Sequence, residues 1–146
     1  MIISLEADGL GRYVVAVVGG SFLLNMYLTI NVVTARKKFK VEYPLLYAPA
    51  GHKHEEAFNC VQRAHQNTLE SFPMVMMQML LCGLKYPLTS AVCGGIWVVG
   101  RFLYGYGYAN NGPKGRMVGG IFSHLGDFPL AIMTFKVAYE MIAAGK

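Results

Sequence analysis

Charge is scarce in this chain. Aspartate, glutamate, lysine and arginine make up 14% of its 146 residues, against roughly 25% in a soluble globular domain. With an apolar fraction of 54% and a mean hydropathy of +0.38, that shortage argues against a soluble protein and for an integral membrane one. Cysteine is scarce too. Cys60, Cys82 and Cys93 have no metal-ligand spacing and read as reduced, small apolar residues, not as a disulfide or a zinc site. His65 has no second metal ligand at a useful spacing, so no metal is expected. The first residues, MIISLEADGLGRY, hold two acids and lack a basic n-region or an arginine-rich composition. They predict neither a cleavable signal peptide nor a transit peptide, and a first hydrophobic segment retained as an anchor. Repeats and low-complexity tracts are missing, so residues 1–146 are expected to form a single domain.

Cations outnumber acids, for a net charge of +5. They do not form a dense basic face with interleaved aromatics, which argues against a nucleic-acid partner. Many sit just outside apolar runs, where topology and lipid headgroups explain them.

Four apolar segments are present, at about 13–33, 58–84, 88–108 and 117–141. The first is uncharged and suits a span of about 20 residues. The second starts polar and would rise about 40 Å as a helix, beyond the bilayer. The third contains Arg101; the fourth is interrupted by His124, Asp127 and Pro129. Lys85-Tyr86-Pro87 is a short turn that makes the second and third spans antiparallel neighbours. Asn110-Asn111-Gly112-Pro113 is a strong turn signal. The predicted fold class is all-α, an integral membrane four-helix bundle. One loop holds Arg36, Lys37, Lys38, Lys40 and Lys53, and another Lys114 and Arg116. The opposite side has Arg12, Lys85 and Lys146, with Glu6 and Asp8 nearby. The positive-inside rule places the two basic loops in the cytosol.

The stretch FNCVQRAHQNTLESFP, from Phe58 to Pro73, puts Arg63, Asn67 and Glu70 on one helical face. At membrane depth such groups are expensive unless they line a site. Arg101, Tyr104 and Tyr108 share a face at i, i+3 and i+7 of the third segment, and Arg116 follows the turn. Together they suit a small, charged, peptide-like ligand. Arginines would grip carboxylates, Glu70 an amine and Asn67 an amide. For a thiol ligand, a nearby guanidinium lowers a pKa of about 8.5 toward neutrality and populates the thiolate. The competing structural readings are an Arg63–Glu70 ion pair, an interhelical ion pair for Arg101, and interfacial belt positions for the tyrosines. His124 and Asp127 stand at i, i+3 and could satisfy one another or contact another protein. Pro129 predicts a kink.

FNCVQRAHQNTLESFP resembles the signature of the membrane-associated eicosanoid and glutathione metabolism family, as do TARKKFKVEYP (34–44) and VGRFLYGYGYANNGPKGR (99–116). The resemblance covers about 13–120. It implies a homotrimer with glutathione as cosubstrate, bound between protomers on the cytosolic side. By motif, Arg36, Arg63, His65, Asn67, Glu70, Tyr104 and Tyr108 correspond to glutathione-contacting positions, and Arg116 to the catalytic, thiolate-stabilising arginine. His65 stands where some relatives have glutamine, and Ser71 where some have tyrosine. Arg116 lies one residue further from Tyr108 than in one branch of the family.

The implied activity is conjugation of glutathione to a lipophilic electrophile, such as the epoxide leukotriene A4, or reduction of a lipid hydroperoxide. The expected location is an endoplasmic reticulum or mitochondrial membrane. Two alternatives stand beside it: a lipid-binding, non-catalytic relative like the five-lipoxygenase-activating protein, or an accessory subunit of a larger membrane complex.

Overall fold

The computed structural model describes residues 10–145. Glu6, Asp8 and Lys146, and the N-terminal stretch read as lacking a leader, lie outside the described residues. Three helical elements follow one another: α1 (Leu10–Phe39), α2 (Glu55–Gly83) and α3 (Pro87–Ala144). No strand occurs among the described residues.

Helix α1 contains no proline and is apolar over most of its length, so it satisfies its own backbone and can face lipid on one side. Phe22 and Leu23 are more than 60% exposed, a placement that suits acyl chains and not water. The helix stops where Lys40 turns left-handed (φ 56°). The Val41 N–H then donates to the Arg36 carbonyl at 3.1 Å, the wrap-back expected of such a cap.

Helix α2 begins with Glu55 and Glu56 in its first turn, where carboxylates favour the positive end of the helix dipole. Its first half is polar and its second half apolar, and it runs through Pro73. Pro87 opens α3 at the position where its missing N–H has no helical partner anyway. The intervening turn is tied to the far end of α3. The Tyr86 hydroxyl lies 2.8 Å from both carboxylate oxygens of Glu140, and Lys85 Nζ lies 2.6 Å from the same group. The hydrogen bond to Glu140 holds the Lys85 ammonium above the usual lysine range. This tie is therefore intact at neutral pH, and raising the pH through that elevated value breaks it.

The sequence predicts separate third and fourth spans with a turn at 110–113. The structure instead has one long element broken at a single residue. Gly112 adopts φ 66°, ψ −159°, a conformation that side-chain-bearing residues avoid, and Pro113 restarts the helix. The two arms, 87–111 and 113–144, then lie antiparallel in backbone contact. A methyl group on Gly119 would overlap the Tyr104 backbone nitrogen. Gly100 meets Ser123, Gly107 meets Gly115, and Gly126 meets Cys93 and Trp97 in the same way. Small residues let helices in lipid approach this closely, where van der Waals contact drives association.

The main core unites all three elements: Val14, Leu24 and Leu28 from α1, Val75, Met79 and Cys82 from α2, and Ala91, Cys93, Trp97 and Leu130 from α3. All three cysteines are buried. Three buried hydroxyls bond their own helices, while that of Ser90 on α3 donates to the Met79 carbonyl of α2. Ser21 donates to the Val18 carbonyl, Thr68 to that of Ala64 and Ser123 to that of Gly120, all within 2.9 Å. Two helices are long and apolar enough to cross a membrane, Arg12–Phe39 and Pro87–Ala144, with mean hydropathies of 1.7 and 1.2. Helix α2 does not meet that criterion, because its polar first half dilutes the apolar second.

Replacing Gly119 by alanine should force the arms apart. The expected loss is about 1–3 kcal/mol, typical of overpacking a tight contact, read as a lower thermal unfolding temperature in detergent. Gly95 faces open space, so Gly95→Ala should leave that temperature unchanged or raise it.

Candidate functional site

The face predicted from the spacing on α2 forms as a bonded unit. Arg63 NH1 lies 3.2 Å from Glu70 Oε1, and Asn67 Nδ2 donates to Glu70 Oε2 at 3.2 Å. Glu70 thus receives a charge-assisted bond on each oxygen. Arg63 and Glu70 stay partly exposed, at 38% and 49% of their side-chain surface, so they remain accessible and their pairing contributes little to stability.

The first arm of α3 supplies the second group. Arg101 NH1 donates to Asn67 Oδ1 at 2.8 Å, which makes Arg101 an interhelical partner of the α2 cluster. Its guanidinium also sits 5.5 Å from the Trp97 ring and 5.3 Å from the Tyr104 ring. Tyr104 and Tyr108 are both buried and meet edge to face, with centroids 5.7 Å apart at 90°. They are packed inside the protein and do not form an interfacial belt. From the second arm, Arg116 places its guanidinium 5.3 Å over the Tyr108 ring, within electrostatic reach of Tyr104 and Arg63. The reversal at Gly112 is what returns Arg116 to the end of the arm that carries Tyr108.

Six of the eight residues singled out by motif therefore converge: Arg63, Asn67, Glu70, Tyr104, Tyr108 and Arg116. Two do not. His65 lies two residues from Arg63 and two from Asn67, on the other side of the helix, with Nε2 3.4 Å from the Thr29 hydroxyl of α1. Arg36 is 8% exposed and spends its donors within the chain. NH1 reaches the Leu45 carbonyl at 2.7 Å and that of Val41 at 3.4 Å, and NH2 reaches that of Leu46 at 3.4 Å. Its guanidinium also stacks 4.6 Å from the Tyr43 ring and 5.1 Å from the Phe58 ring. In this chain Arg36 clasps the 40–54 loop onto the bundle, beside the buried cluster of Val32, Ala35, Val41, Ala48, Phe58 and Val61.

Two adjoining hollows open beside the cluster. One, of about 390 Å³, is lined by Glu55, Glu56, Asn59, Cys60, Arg63 and Tyr108. The other, of about 340 Å³, adds Lys53, His54 and Asn110. Their volumes suit a small ligand. Tyr47 is a member that the sequence reading missed. Its hydroxyl donates to Gln66 Oε1, and it lies within reach of Arg63. It comes from the loop, where no periodicity marks which side chains return to a helix face. Among the described residues, no three of His, Cys, Asp and Glu gather as a metal site.

A family model, described as the MAPEG family, matches residues 14–136. The chain belongs to this family. It is therefore an all-helical integral membrane protein. An uncharacterized protein of Synechocystis is 37% identical over 98 residues, 66% of each chain. A leukotriene C4 synthase of Bos taurus is 30% identical over 90 residues, 61% of this chain and 56% of that one. Microsomal glutathione S-transferase 2 of Homo sapiens is 30% identical over 89 residues, 60% of this chain and 56% of its own. The chain thus spans little more than half the length of the named relatives it matches.

If Arg36 is a clasp, Arg36→Met should leave the loop carbonyls without their donor. Limited proteolysis should then cut within 40–54 several-fold faster than in the wild type, while helix content by circular dichroism stays the same.

Proposed function

We propose that the protein is a glutathione-dependent membrane transferase. The observation that carries this reading is the convergence of Arg63, Asn67 and Glu70 from α2 with Tyr104, Tyr108 and Arg116 from the two arms of α3. Two of the relatives are named as a leukotriene C4 synthase and a glutathione S-transferase. The three sequence motifs resemble those of microsomal glutathione S-transferase 3. In this reading the chain crosses the membrane four times, with both basic loops in the cytosol, and assembles as a homotrimer whose sites lie between protomers. The host membrane is that of the endoplasmic reticulum or the mitochondrion.

The chemistry follows from the donor set. Glutathione is a tripeptide with two carboxylates, an amine and a thiol. Arg63 binds a carboxylate, Glu70 the amine and Asn67 a peptide group, while the tyrosine hydroxyls complete the polar contacts. Arg116 faces the thiol and stabilises its anion. The thiolate sulfur attacks an electrophilic carbon. For an epoxide, the C–O bond breaks as the C–S bond forms, and the alkoxide takes a proton from water to give a hydroxy-thioether. With a lipid hydroperoxide, two glutathiones are oxidised to the disulfide, and the peroxide becomes an alcohol and water. The apolar cosubstrate arrives from the bilayer.

A lipid-binding relative without catalysis and an accessory subunit are the competing readings. The exposed pair on the second arm of α3 motivates the latter. His124 Nδ1 lies 3.1 Å from both oxygens of Asp127, and its ring stacks on Phe128 at 4.9 Å. The pair satisfies itself and requires no outside partner.

Ultraviolet difference titration tests the proposal. Wild type should show a glutathione thiolate band near neutral pH, and conjugation or peroxidase activity should accompany it. Arg116→Ala should lose the band and keep binding within a few-fold by calorimetry. A band unchanged in Arg116→Ala would reject Arg116 as the stabilising group. A wild type that binds glutathione without forming thiolate would favour the lipid-binding reading.

A further inference from the structure

Among the described residues, two charged side chains are buried, Arg36 and Arg101. Loop carbonyls occupy the first. Arg101 is different. It is 5% exposed, it makes one hydrogen bond, to Asn67, and its Nε–H has no acceptor. A guanidinium with five donors is costly to bury in this way. The aromatic faces of Trp97 and Tyr104 offset part of that cost. Two carboxylates also act on it, Asp127 from the opposite arm and Glu70 from α2. Asp127 is brought there because its neighbour Gly126 packs on the backbone of Cys93 and Trp97, one turn before Arg101. His124 in turn holds Asp127.

The consequence falls on Asn67. An asparagine amide can present either its oxygen or its nitrogen to a neighbour. Arg101 can only donate, so it selects the oxygen. Glu70 as a carboxylate can only accept, so it selects the nitrogen. Both neighbours therefore impose the same orientation, and one amide N–H is left over. We infer that Arg101 is a positioning residue that locks the Asn67 amide, so that its remaining N–H is presented to a carbonyl or carboxylate oxygen of the peptide ligand. Asp127 stands on the facing arm, within electrostatic reach of Arg101. This rests on the peptide-binding reading above.

A double-mutant cycle on purified protein tests it, with glutathione affinity measured by calorimetry. Asn67→Ala and Arg101→Met should each weaken binding about tenfold, the loss expected for one charge-assisted hydrogen bond. The double variant should bind no more weakly than Asn67→Ala alone, because Arg101 acts through Asn67. Arg101→Lys, which keeps a donor, should recover part of the loss, and it keeps the test open if Arg101→Met does not fold. At saturating glutathione the thiolate band of Arg101→Met should equal that of wild type. Losses that multiply in the double variant, or an unchanged affinity in Arg101→Met, would overturn the inference. If wild type binds no glutathione, the parent reading fails instead. The same cycle on thermal unfolding without ligand then decides: coupled effects support the lock, and additive ones reject it.

Discussion

Every polar group at membrane depth must find its partner inside the protein, because lipid offers none. Much of this structure follows from that constraint. The buried hydroxyls of Ser21, Thr68 and Ser123 fold back onto their own helices. Arg36 gathers three loop carbonyls, and in doing so fixes the loop that carries Tyr47. Arg101 finds an amide on α2 and two aromatic faces on its own arm. The polar cluster is thus an organised string of partners that joins α2 to both arms of α3. Its exposed end, Arg63 and Glu70, borders the hollow where a ligand is proposed to sit. Its buried end is closed by the packing of the arms.

Much of this was legible in the sequence. Helical periodicity alone put Arg63, Asn67 and Glu70 on one face, and the structure bonds them to one another. The turn signal at 110–113 located the reversal, although the helices run up to a single glycine where a loop was expected. The alternative that His124 and Asp127 satisfy one another proved correct at the level of geometry. Other features were not legible, each for a physical reason. Motif correspondence placed Arg36 with the ligand residues, but the conformation of the loop after Lys40, unreadable from spacing, turns its guanidinium to carbonyls. His65 was carried along by its neighbours in the motif, while its position two residues from Arg63 sends it toward α1. Tyr47 returns from a segment without periodicity. The partner of Arg101 depended on which helices are adjacent and in what register, and that is set by the glycine contacts between the arms.

Two uses of arginine divide the molecule. Where the guanidinium is buried, it organises protein atoms: carbonyls for Arg36, the Asn67 amide for Arg101. Where it is open or near the surface, at Arg63 and Arg116, it has donors to spare. Lysine could not replace Arg36, because its ammonium lacks the planar fork that reaches several acceptors at once. The division follows from burial and bonding, and the motif alone does not reveal it.

The backbone seam between the two arms of α3 also shapes the lipid-facing surface. Helices that touch through glycines from Gly100 to Gly126 leave no width for an acyl chain. No lipid tail fits between the two arms. The opposite flank is built otherwise. Between α1 and the first arm, Leu23, Leu24, Tyr27, Val99 and Phe102 border an apolar hollow of about 330 Å³. The two flanks of the first arm therefore differ: backbone contact closes one, and the other carries an apolar hollow.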